Sequence, residues 1–416
     1  MINSTDVAII GAGPYGLSLA ANLRARGVGF RIFGHSMRFW RSMPIGLNLK
    51  SFAFATNISV PERGYSFPEW CRQHDLEDFE PCTMESFAAY GLDMQRRFVP
   101  ELEEVLATRI ERAARDFEIT LASGDMLRAR RVVVCTGLSG LEHVPAELRG
   151  LGPAHMQHTA SIDNYSEFRG KRVAVIGGGA SAIEAGALVN EAGGHAEVFV
   201  RGPKVIFHDR TPRVRPLLAR IKDPISVLGQ SRRGWVLEKL PLIVHFLPTE
   251  RRTRFVRGYL GPESPWWIKD RVIGKVPIRL QQEVVAAAVS STGVRLAMRD
   301  CENASRDIEV DYVIAGTGYE FDVERVAFLG STLKRDICRT ERAPTLNLNF
   351  ESSVPGLHFV GPLSSMCFGP LFRFVAGADF TARRLARHLA QRPSFSPAPS
   401  NSPAEANGAW RFDPEN

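Results

Sequence analysis

Short apolar runs, each followed by a glycine-rich turn and a helical repeat, organise this chain of 416 residues. The first run, Val7 to Ile10, is uninterrupted, as in strands that are buried on both faces of a parallel sheet. After the turn, Leu17, Leu19 and Ala20 supply the apolar positions of a helix, and Phe30 to Phe33 forms a second apolar run. The pattern predicts a strand–helix–strand unit.

The same order of elements returns in the middle of the chain. Lys171 to Ile176 is again a basic-then-apolar strand, and a helix is predicted from Ala180 to Glu191. Gly193 and Gly194 end that helix, and Ala196 to Val200 is the next strand. Two such units predict an α/β fold with two Rossmann-like dinucleotide-binding domains.

Both turns match a phosphate-binding glycine motif. Residues 11–16 read G-x-G-x-x-G, and residues 177–182 read the variant G-x-G-x-x-A. The first glycine makes the tight turn, the second lets a pyrophosphate approach the backbone, and the third position lets the helix close on the sheet. A tight turn that merely packs is the alternative, which the flanking strand and helix disfavour. The predicted cofactor-binding residues here are Gly11, Gly13, Gly16, Gly177, Gly179, Ser181 and Ala182.

Two further pairs of strands flank the second unit. Phe117 to Leu121 and Arg131 to Gly137 are joined by a hairpin-type turn, and Val294 to Met298 and Asp311 to Tyr319 repeat that pattern. The chain thus repeats one pattern of strands before and after the second unit.

Helical patterns cover much of the rest. They are predicted from Phe67 to Arg112, within an insertion at about 205–280, and from Phe374 to Ala390. The tail at 393–416 is rich in Pro, Ser, Ala and Asn and is predicted to be disordered.

Charge is concentrated in one segment. Residues 201–280 contain 18 Lys or Arg against 6 Asp or Glu, although the whole chain carries only +7. Such a segment attracts anions, and with two dinucleotide motifs present we favour a phosphate-bearing cofactor and an anionic substrate. No nucleic-acid module is legible, so nucleic acid is not an expected partner. The insertion is interpreted as a lid or substrate tunnel, an oligomer surface or a membrane-adjacent helix pair.

Cysteine spacing and hydropathy exclude several classes. The six cysteines form no C-x-x-C pair, so neither a metal site nor a redox-active dithiol close in sequence is expected. No run of 18 apolar residues appears, and Met1 to Asp6 leads straight into the first strand without a signal peptide. We therefore expect no transmembrane segment and a cytoplasmic location.

With these motifs in this order, the chain resembles two-dinucleotide-binding-domain flavoproteins, in particular the class B-like flavin monooxygenases, which include the flavin-containing monooxygenases and the lysine or ornithine N-hydroxylases. The resemblance implies a glutathione-reductase-like fold in which the second domain is inserted in the first. It assigns FAD to 1–160 and 316–392, and NADPH to 161–315.

The resemblance also implies further contacts to FAD. Trp40, followed by a Pro-x-Gly turn at 44–46, is similar to the aromatic segment under the flavin ring, with a packed structural Trp as the alternative. His35 stands where an acidic residue normally reads the ribose. Strand ends supply the remaining candidates, Thr136, Gly137, Gly318 and Gly361.

Arg201 and Lys204 follow the second strand of the second unit, where an acidic residue would select NADH. Because arginine pairs with a 2′-phosphate, they favour NADPH, unless Arg201 is only the first residue of the basic segment. The candidate polar groups near the flavin are Lys50 and Arg373, which we name as possible catalytic residues against a structural role.

The implied reaction is monooxygenation of a small molecule with NADPH, FAD and O2, through a flavin C4a-hydroperoxide. N-hydroxylation of an amine is the first expectation by resemblance, and hydroxylation of an anionic heteroaromatic such as a purine is the second. An NADPH-dependent flavin reductase that serves a partner or a quinone is an alternative of another class, and a homo-oligomer is possible.

Overall fold

The computed structural model describes residues 3–78, 81–259 and 263–391, so the tail at 393–416 lies outside the described residues. The strands are β1 (Asn3–Ile10), β2 (Phe30–Phe33), β3 (Ala107–Ala113), β4 (Asp116–Leu121), β5 (Met126–Val134), β6 (Met156–His158), β7 (Arg172–Ile176), β8 (His195–Val200), β9 (Ile206–Phe207), β10 (Ile225–Ser226), β11 (Gly229–Gln230), β12 (Glu263–Ser264), β13 (Ile278–Leu280), β14 (Gln282–Ser290), β15 (Gly293–Asp300), β16 (Ser305–Val310), β17 (Tyr312–Ala315), β18 (Arg339–Thr340), β19 (Ala343–Pro344) and β20 (Leu357–Phe359). The helices are α1 (Pro14–Arg24), α2 (Arg38–Arg41), α3 (Phe67–Gln73), α4 (Met84–Phe98), α5 (Ala180–Glu191), α6 (Leu217–Lys222), α7 (Arg232–Lys239), α8 (Thr249–Gly258), α9 (Trp266–Val272), α10 (Ser331–Asp336), α11 (Ser365–Phe368) and α12 (Ala378–Ala390).

The first sheet is parallel at its centre. β1 pairs with β2 on one side and with β5 on the other, and the second half of β5 pairs with β20, with Val132 opposite Leu357. The first half of β5 continues into the antiparallel hairpin of β4 and β3. Because β20 comes from the far end of the chain, this sheet is completed only by residues that follow the second unit.

The second sheet repeats this arrangement. Its order is β13, β8, β7, β17 and β6, all parallel, and β14, β15 and β16 form an antiparallel extension beside it. The chain enters this sheet from the first and leaves it after β17, so the second unit is inserted in the first. The predicted fold class is confirmed.

One helix closes the core of each unit. α1 is buried from Pro14 to Leu23 and packs against α12, which lies on the same side of the first sheet. α5 packs against β8 and α9 in the second unit, and the predicted bounds of this helix are confirmed. The two glycine turns therefore stand at equivalent edges of two sheets.

Three sequence expectations were wrong. The helical pattern from Phe67 to Arg112 ends with α4, and Ala107–Ala113 is strand β3, whose edge position tolerates its charged residues. The last helix starts at Ala378 rather than Phe374, because a 3₁₀ turn precedes it. Strand β6 belongs to the second sheet, so the crossing between the units lies before residue 156 and not at 160.

The basic insertion is partly helical, as expected, and contacts the first unit. Leu237, Val244 and Val256 form a buried apolar cluster with Ala343 and Met366 of the returning chain. The insertion therefore packs on the C-terminal half of the first unit. None of the helices in the described ranges is long and apolar enough to cross a membrane.

A buried ion pair joins the first sheet to α12. Asp6 on β1 and Arg131 on β5 are almost fully buried and form an ion pair, and the Arg131 guanidinium also donates to the Leu389 carbonyl oxygen over 2.8 Å. Removing one partner of such a pair leaves a buried charge uncompensated.

We expect Asp6→Asn to lower the free energy of unfolding by about 3–5 kcal/mol, the usual cost of breaking a buried ion pair. Urea denaturation measures it. Asp93→Asn, which breaks the exposed pair with Arg97 on α4, is the matched control and should leave the unfolding midpoint unchanged. Equal midpoints for the two variants would contradict a stabilising role for Asp6.

Candidate dinucleotide sites and the cleft between them

The two glycine turns are held by the same backbone hydrogen bonds. The Gly11 N–H donates to the Phe33 carbonyl oxygen over 2.8 Å, and the Gly177 N–H donates to the Phe199 carbonyl oxygen over 3.0 Å. On the other side of each turn, Cys135 N–H donates to Ile10 and Gly316 N–H donates to Ile176, both over 2.8 Å. Each turn is therefore fixed to the ends of two neighbouring parallel strands.

The first glycine of each motif cannot be replaced by another residue without strain. Gly11 has φ +116° and Gly177 has φ +140°, which L side chains rarely adopt. A Cβ on Gly11 would also lie 2.5 Å from the Cys135 carbonyl oxygen, and one on Gly177 would meet the Gly316 carbonyl oxygen even more closely. The tight turn predicted for both residues is confirmed by this geometry.

The third motif position shows why one turn uses glycine and the other alanine. A Cβ on Gly16 would collide with the Gly11 carbonyl oxygen, whereas Ala182 carries its methyl group without such a clash. A Cβ on Gly316 would lie 2.5 Å from the Ala182 Cβ, so the glycine at the facing strand end makes the room. Sequence reasoning missed Gly316, although its place after β17 matches that of Cys135 after β5.

The space around the second glycine of the first motif tests the fit of a dinucleotide. No atom lies within 4 Å of a Cβ built on Gly13. Gly13 and Gly179 are the N-caps of α1 and α5, with nearly the same backbone dihedral angles, and neither helix start has a side-chain cap. Ser181 lies in the first turn of α5. Open backbone and uncapped N–H groups at a helix start suit a pyrophosphate, so the residues present fit the implied cofactors.

The C-terminal segment closes on the first turn. The Tyr15 hydroxyl, in the first turn of α1, donates to the carbonyl oxygens of Phe372 and Phe374 over 3.0 and 2.8 Å. Gly361, with φ +71°, is buried against the Tyr15 ring. Burial raises the pKa of Tyr15, so its hydroxyl stays protonated and remains a donor. Gly361 thus lies beside the first turn.

The end of β2 has an acidic neighbour that the sequence did not reveal. His35 is partly buried there, and the next residue, Ser36, donates its N–H to the Glu104 carboxylate over 3.1 Å. Glu103 binds Arg31 through two hydrogen bonds of 2.6 Å. These acids come from the segment before β3, about 70 residues later, so spacing within the motif could not indicate them.

Other predicted flavin-side residues lie around the same unit. Trp40 on α2 is partly buried and packs edge-on against Phe87, with ring centroids 4.8 Å apart. Thr136 and Gly137 follow β5 directly and are partly exposed. The Gly318 carbonyl oxygen accepts hydrogen bonds from His143 N–H and from the His158 ring. The Gly318 carbonyl group therefore links the segment after β17 to the segment that precedes the second unit.

Arg201 and Lys204 lie free of the core at the end of β8. The Arg201 side chain is 84% exposed, and its guanidinium is 4.0 Å from the Glu283 carboxylate, so that pairing is weak. Both cations follow β8, which is parallel to β7, so they lie at the same end of the sheet as the second glycine turn.

Lys50 bridges the two units. Its ammonium forms an ion pair with Glu184 on α5, two residues beyond the second glycine motif. The Lys50 side chain is 32% exposed, whereas the Glu184 side chain that binds it is only 3% exposed. Burial, and to a smaller extent the Arg271 guanidinium, lower the pKa of Lys50 to about 7.

Arg373 is a cation without an acidic partner in the described part of the chain. Its guanidinium lies 5.7 Å from the centroid of the Phe321 ring, and Phe321 packs against the apolar cluster that contains Leu237. Burial lowers its pKa, yet an arginine remains charged. Arg373 sits between the two carbonyl groups that bind Tyr15, so its backbone is fixed beside the first turn.

No group of three or more metal-ligating side chains occurs within the described ranges.

The chain is similar in sequence to a known family and to curated proteins. The profile of the family described as pyridine nucleotide-disulphide oxidoreductase matches residues 8–228. The chain is 25% identical over 281 residues to the methyl acetate-forming acetone monooxygenase of Gordonia sp. (strain TY-5), covering 63% of this chain and 51% of that protein. It is 31% identical over 185 residues to the indole-3-pyruvate monooxygenase YUCCA1 of Oryza sativa subsp. japonica, covering 42% of this chain and 43% of that protein. The chain thus spans about half the length of these curated relatives.

Two solved structures share the fold over nearly their whole length. The ornithine hydroxylase PvdA of Pseudomonas aeruginosa matches with a TM-score of 0.74 and 18% identity, covering 93% of this chain and 99% of that one. The ornithine N-hydroxylase KtzI of Kutzneria sp. 744, in complex with reduced FAD, NADP+ and L-ornithine, matches with a TM-score of 0.73 and 17% identity, covering 94% and 100%.

Because its Cβ would meet open space, Gly13→Ala should fold with an unchanged melting temperature and yet bind FAD at least about tenfold more weakly, a loss of about 1.4 kcal/mol. Thermal unfolding of the apoprotein and fluorescence titration with FAD check the two parts. Gly150→Ala is the matched control, because a Cβ on Gly150 also meets nothing within 4 Å and Gly150 lies in no motif. Gly27 is less suitable, because its φ of +66° would strain an alanine. FAD affinity that stays the same in Gly13→Ala would contradict the assignment of this turn.

Proposed function

The chain belongs to the pyridine nucleotide-disulphide oxidoreductase family, and from this we propose that it is an NADPH-dependent flavoprotein monooxygenase that hydroxylates the nitrogen of a small amine. The observation that carries the proposal is the pair of equivalent glycine turns, whose two units are joined by the ion pair between Lys50 and Glu184. The fold shared with two ornithine hydroxylases supports it.

The first turn, with Gly11, Gly13 and Gly16, would hold FAD, and the second, with Gly177 and Gly179, would hold NADPH. When bound, the nicotinamide supplies a hydride and the flavin supplies the chemistry that activates O2. Arg201 and Lys204 would bind the 2′-phosphate that distinguishes NADPH from NADH.

The protein's own groups position charges and exclude water. The Lys50 Nζ can keep or release a proton near neutral pH, because its pKa is lowered to about 7, and it is held between the two units by Glu184. The insertion packs on the C-terminal half of the first unit through its apolar cluster, and we expect it to exclude water from that side of the flavin.

The thiols do not favour a disulfide reductase. All six cysteines are free, and within the described ranges Cys71 and Cys82 are the pair whose thiols are in contact. Burial raises the pKa of Cys71, and it raises that of Cys82 to about 12, whereas a redox-active dithiol needs a lowered thiol pKa. Electrons from a flavin therefore have no reactive dithiol to enter among the described residues.

Arg373 favours a second candidate. A partly buried guanidinium without a carboxylate partner in the described residues is suited to bind an anion, such as a deprotonated heteroaromatic ring or a substrate carboxylate. Hydroxylation of an anionic heteroaromatic such as a purine is thus the alternative to N-hydroxylation.

Product analysis under 18O2 tests the proposal. The FAD-loaded protein is supplied with NADPH and, in separate assays, with ornithine, lysine, cadaverine or urate, and mass spectrometry follows the incorporation of one 18O atom. Incorporation into an amine supports the first candidate, and incorporation into urate supports the second. NADPH consumption that yields only hydrogen peroxide in every assay, and that a quinone accelerates, would indicate a flavin reductase instead.

Replacing Arg201 should separate the two nicotinamide cofactors. We expect Arg201→Gln to raise KM for NADPH at least about tenfold and to leave KM for NADH unchanged, because only NADPH loses a phosphate contact. Initial-rate kinetics of flavin reduction measure both constants. Arg279→Gln, which removes an exposed cation on the neighbouring strand β13, is the control. Equal effects on both cofactors would overturn the role of Arg201.

A further inference from the structure

A chain of alternating charges runs from Lys50 across α5 to α9. Glu184 binds the Lys50 ammonium with one carboxylate oxygen, and its other oxygen lies 3.7 Å from the Arg271 guanidinium. Arg271 in turn makes two hydrogen bonds of 2.8 Å to Glu191. We call these four residues the relay. It is a row of alternating charges that begins at Lys50 in the first unit and ends at Glu191 on α5 of the second unit.

Glu184 is the buried member of this relay. Its side chain is only 3% exposed, and its Oε1 atom makes no hydrogen bond within the described structure. A carboxylate in such a position is costly unless cations compensate it. Lys50 and Arg271 are the two cations that do so, and they approach from different elements.

The local sequence explains how both cations reach one helix face. Glu184 and Glu191 are seven residues apart, which is two helical turns, so both point to the same side of α5. α9 packs on that side, and Arg271 near its end spans the distance between the two carboxylates. Lys50 belongs to the first unit, and its ammonium binds Glu184 Oε2, whereas Arg271 lies near Oε1.

We propose that Glu184 is a positioning residue that fixes the Lys50 ammonium at the junction of the two dinucleotide units. Arg271 weakens this attraction, because its guanidinium interacts with the same carboxylate. What Lys50 does with its proton rests on the proposed function, but its control by Glu184 and Arg271 does not.

The sign of each effect follows from charge. The groups that face the Lys50 ammonium are the Glu184 carboxylate, the Arg271 guanidinium and the Asn48 carbonyl oxygen at 3.5 Å. Removing the anion disfavours the ammonium, so Glu184→Gln should lower the pKa of Lys50. Removing the cation should raise the pKa of Lys50 in Arg271→Gln.

Trace acetylation of the purified, FAD-loaded protein measures this without turnover. Acetic anhydride modifies only the free amine, and mass spectrometry of the peptide that contains Lys50 gives the extent of labelling at each pH. We expect the titration midpoint of Lys50 to fall by about 1 pH unit or more in Glu184→Gln and to rise by a similar amount in Arg271→Gln. Glu197 lies on β8 and forms an exposed pair with Arg279 on β13, so Glu197→Gln should leave the midpoint of Lys50 in place.

Midpoints that do not move, or that move in the same direction in both variants, would overturn the proposal. If Glu184→Gln fails to fold, as judged by thermal unfolding, Arg271→Gln decides alone, and a midpoint that does not rise refutes the opposition between the cations. The pH profile of NADPH oxidation supplies the link to activity. Opposite midpoint shifts in a protein that does not oxidise NADPH would leave the relay established and the proposed function refuted.

Discussion

The close contact between a glycine Cα and a strand-end carbonyl group is the constraint on which both units depend. Gly11 rests on the carbonyl group of Cys135, and Gly177 rests on that of Gly316, at distances that leave no space for a side chain. The contact brings the start of a helix to the edge of a parallel sheet, with its N–H groups uncapped. Everything proposed for cofactor binding follows from this placement, because a helix start farther from the sheet would not leave the same open backbone at Gly13.

Ion pairs add to the apolar contacts between the units. One buried apolar cluster includes Val7 on β1 and Val175 on β7, so the apolar core is shared between the two units. Lys50 crosses to Glu184, Arg213 of the insertion binds Asp78, and Arg257 binds Glu341. The two pairs made by Arg213 and Arg257 are partly exposed, so water can replace each one at modest cost. The Glu184 carboxylate is buried, so it depends on its cations.

Local features were predictable from the sequence, and contacts between distant segments were not. The bounds of α5 and the backbone of both glycine turns follow from the spacing of apolar residues and glycines. β3 was misassigned because its Ala-Thr-Arg-Ile-Glu-Arg-Ala sequence gives no clear alternation, and its strand state comes from pairing with β4. Glu104 and Glu184 could be assigned only once the fold brought them to Ser36 and Lys50. A lone charge within the apolar part of α5 was the one available signal for Glu184.

The hydrogen bonds of Tyr15 have a consequence for biosynthesis. They join the first helix to residues more than 350 positions later, and β20 enters the first sheet from the same late segment. The second unit, by contrast, is contiguous from β6 to β17. On a ribosome the later-encoded unit can therefore complete its sheet while the earlier one still waits for its closing strand, so the half of the protein that is made first is the half that matures last.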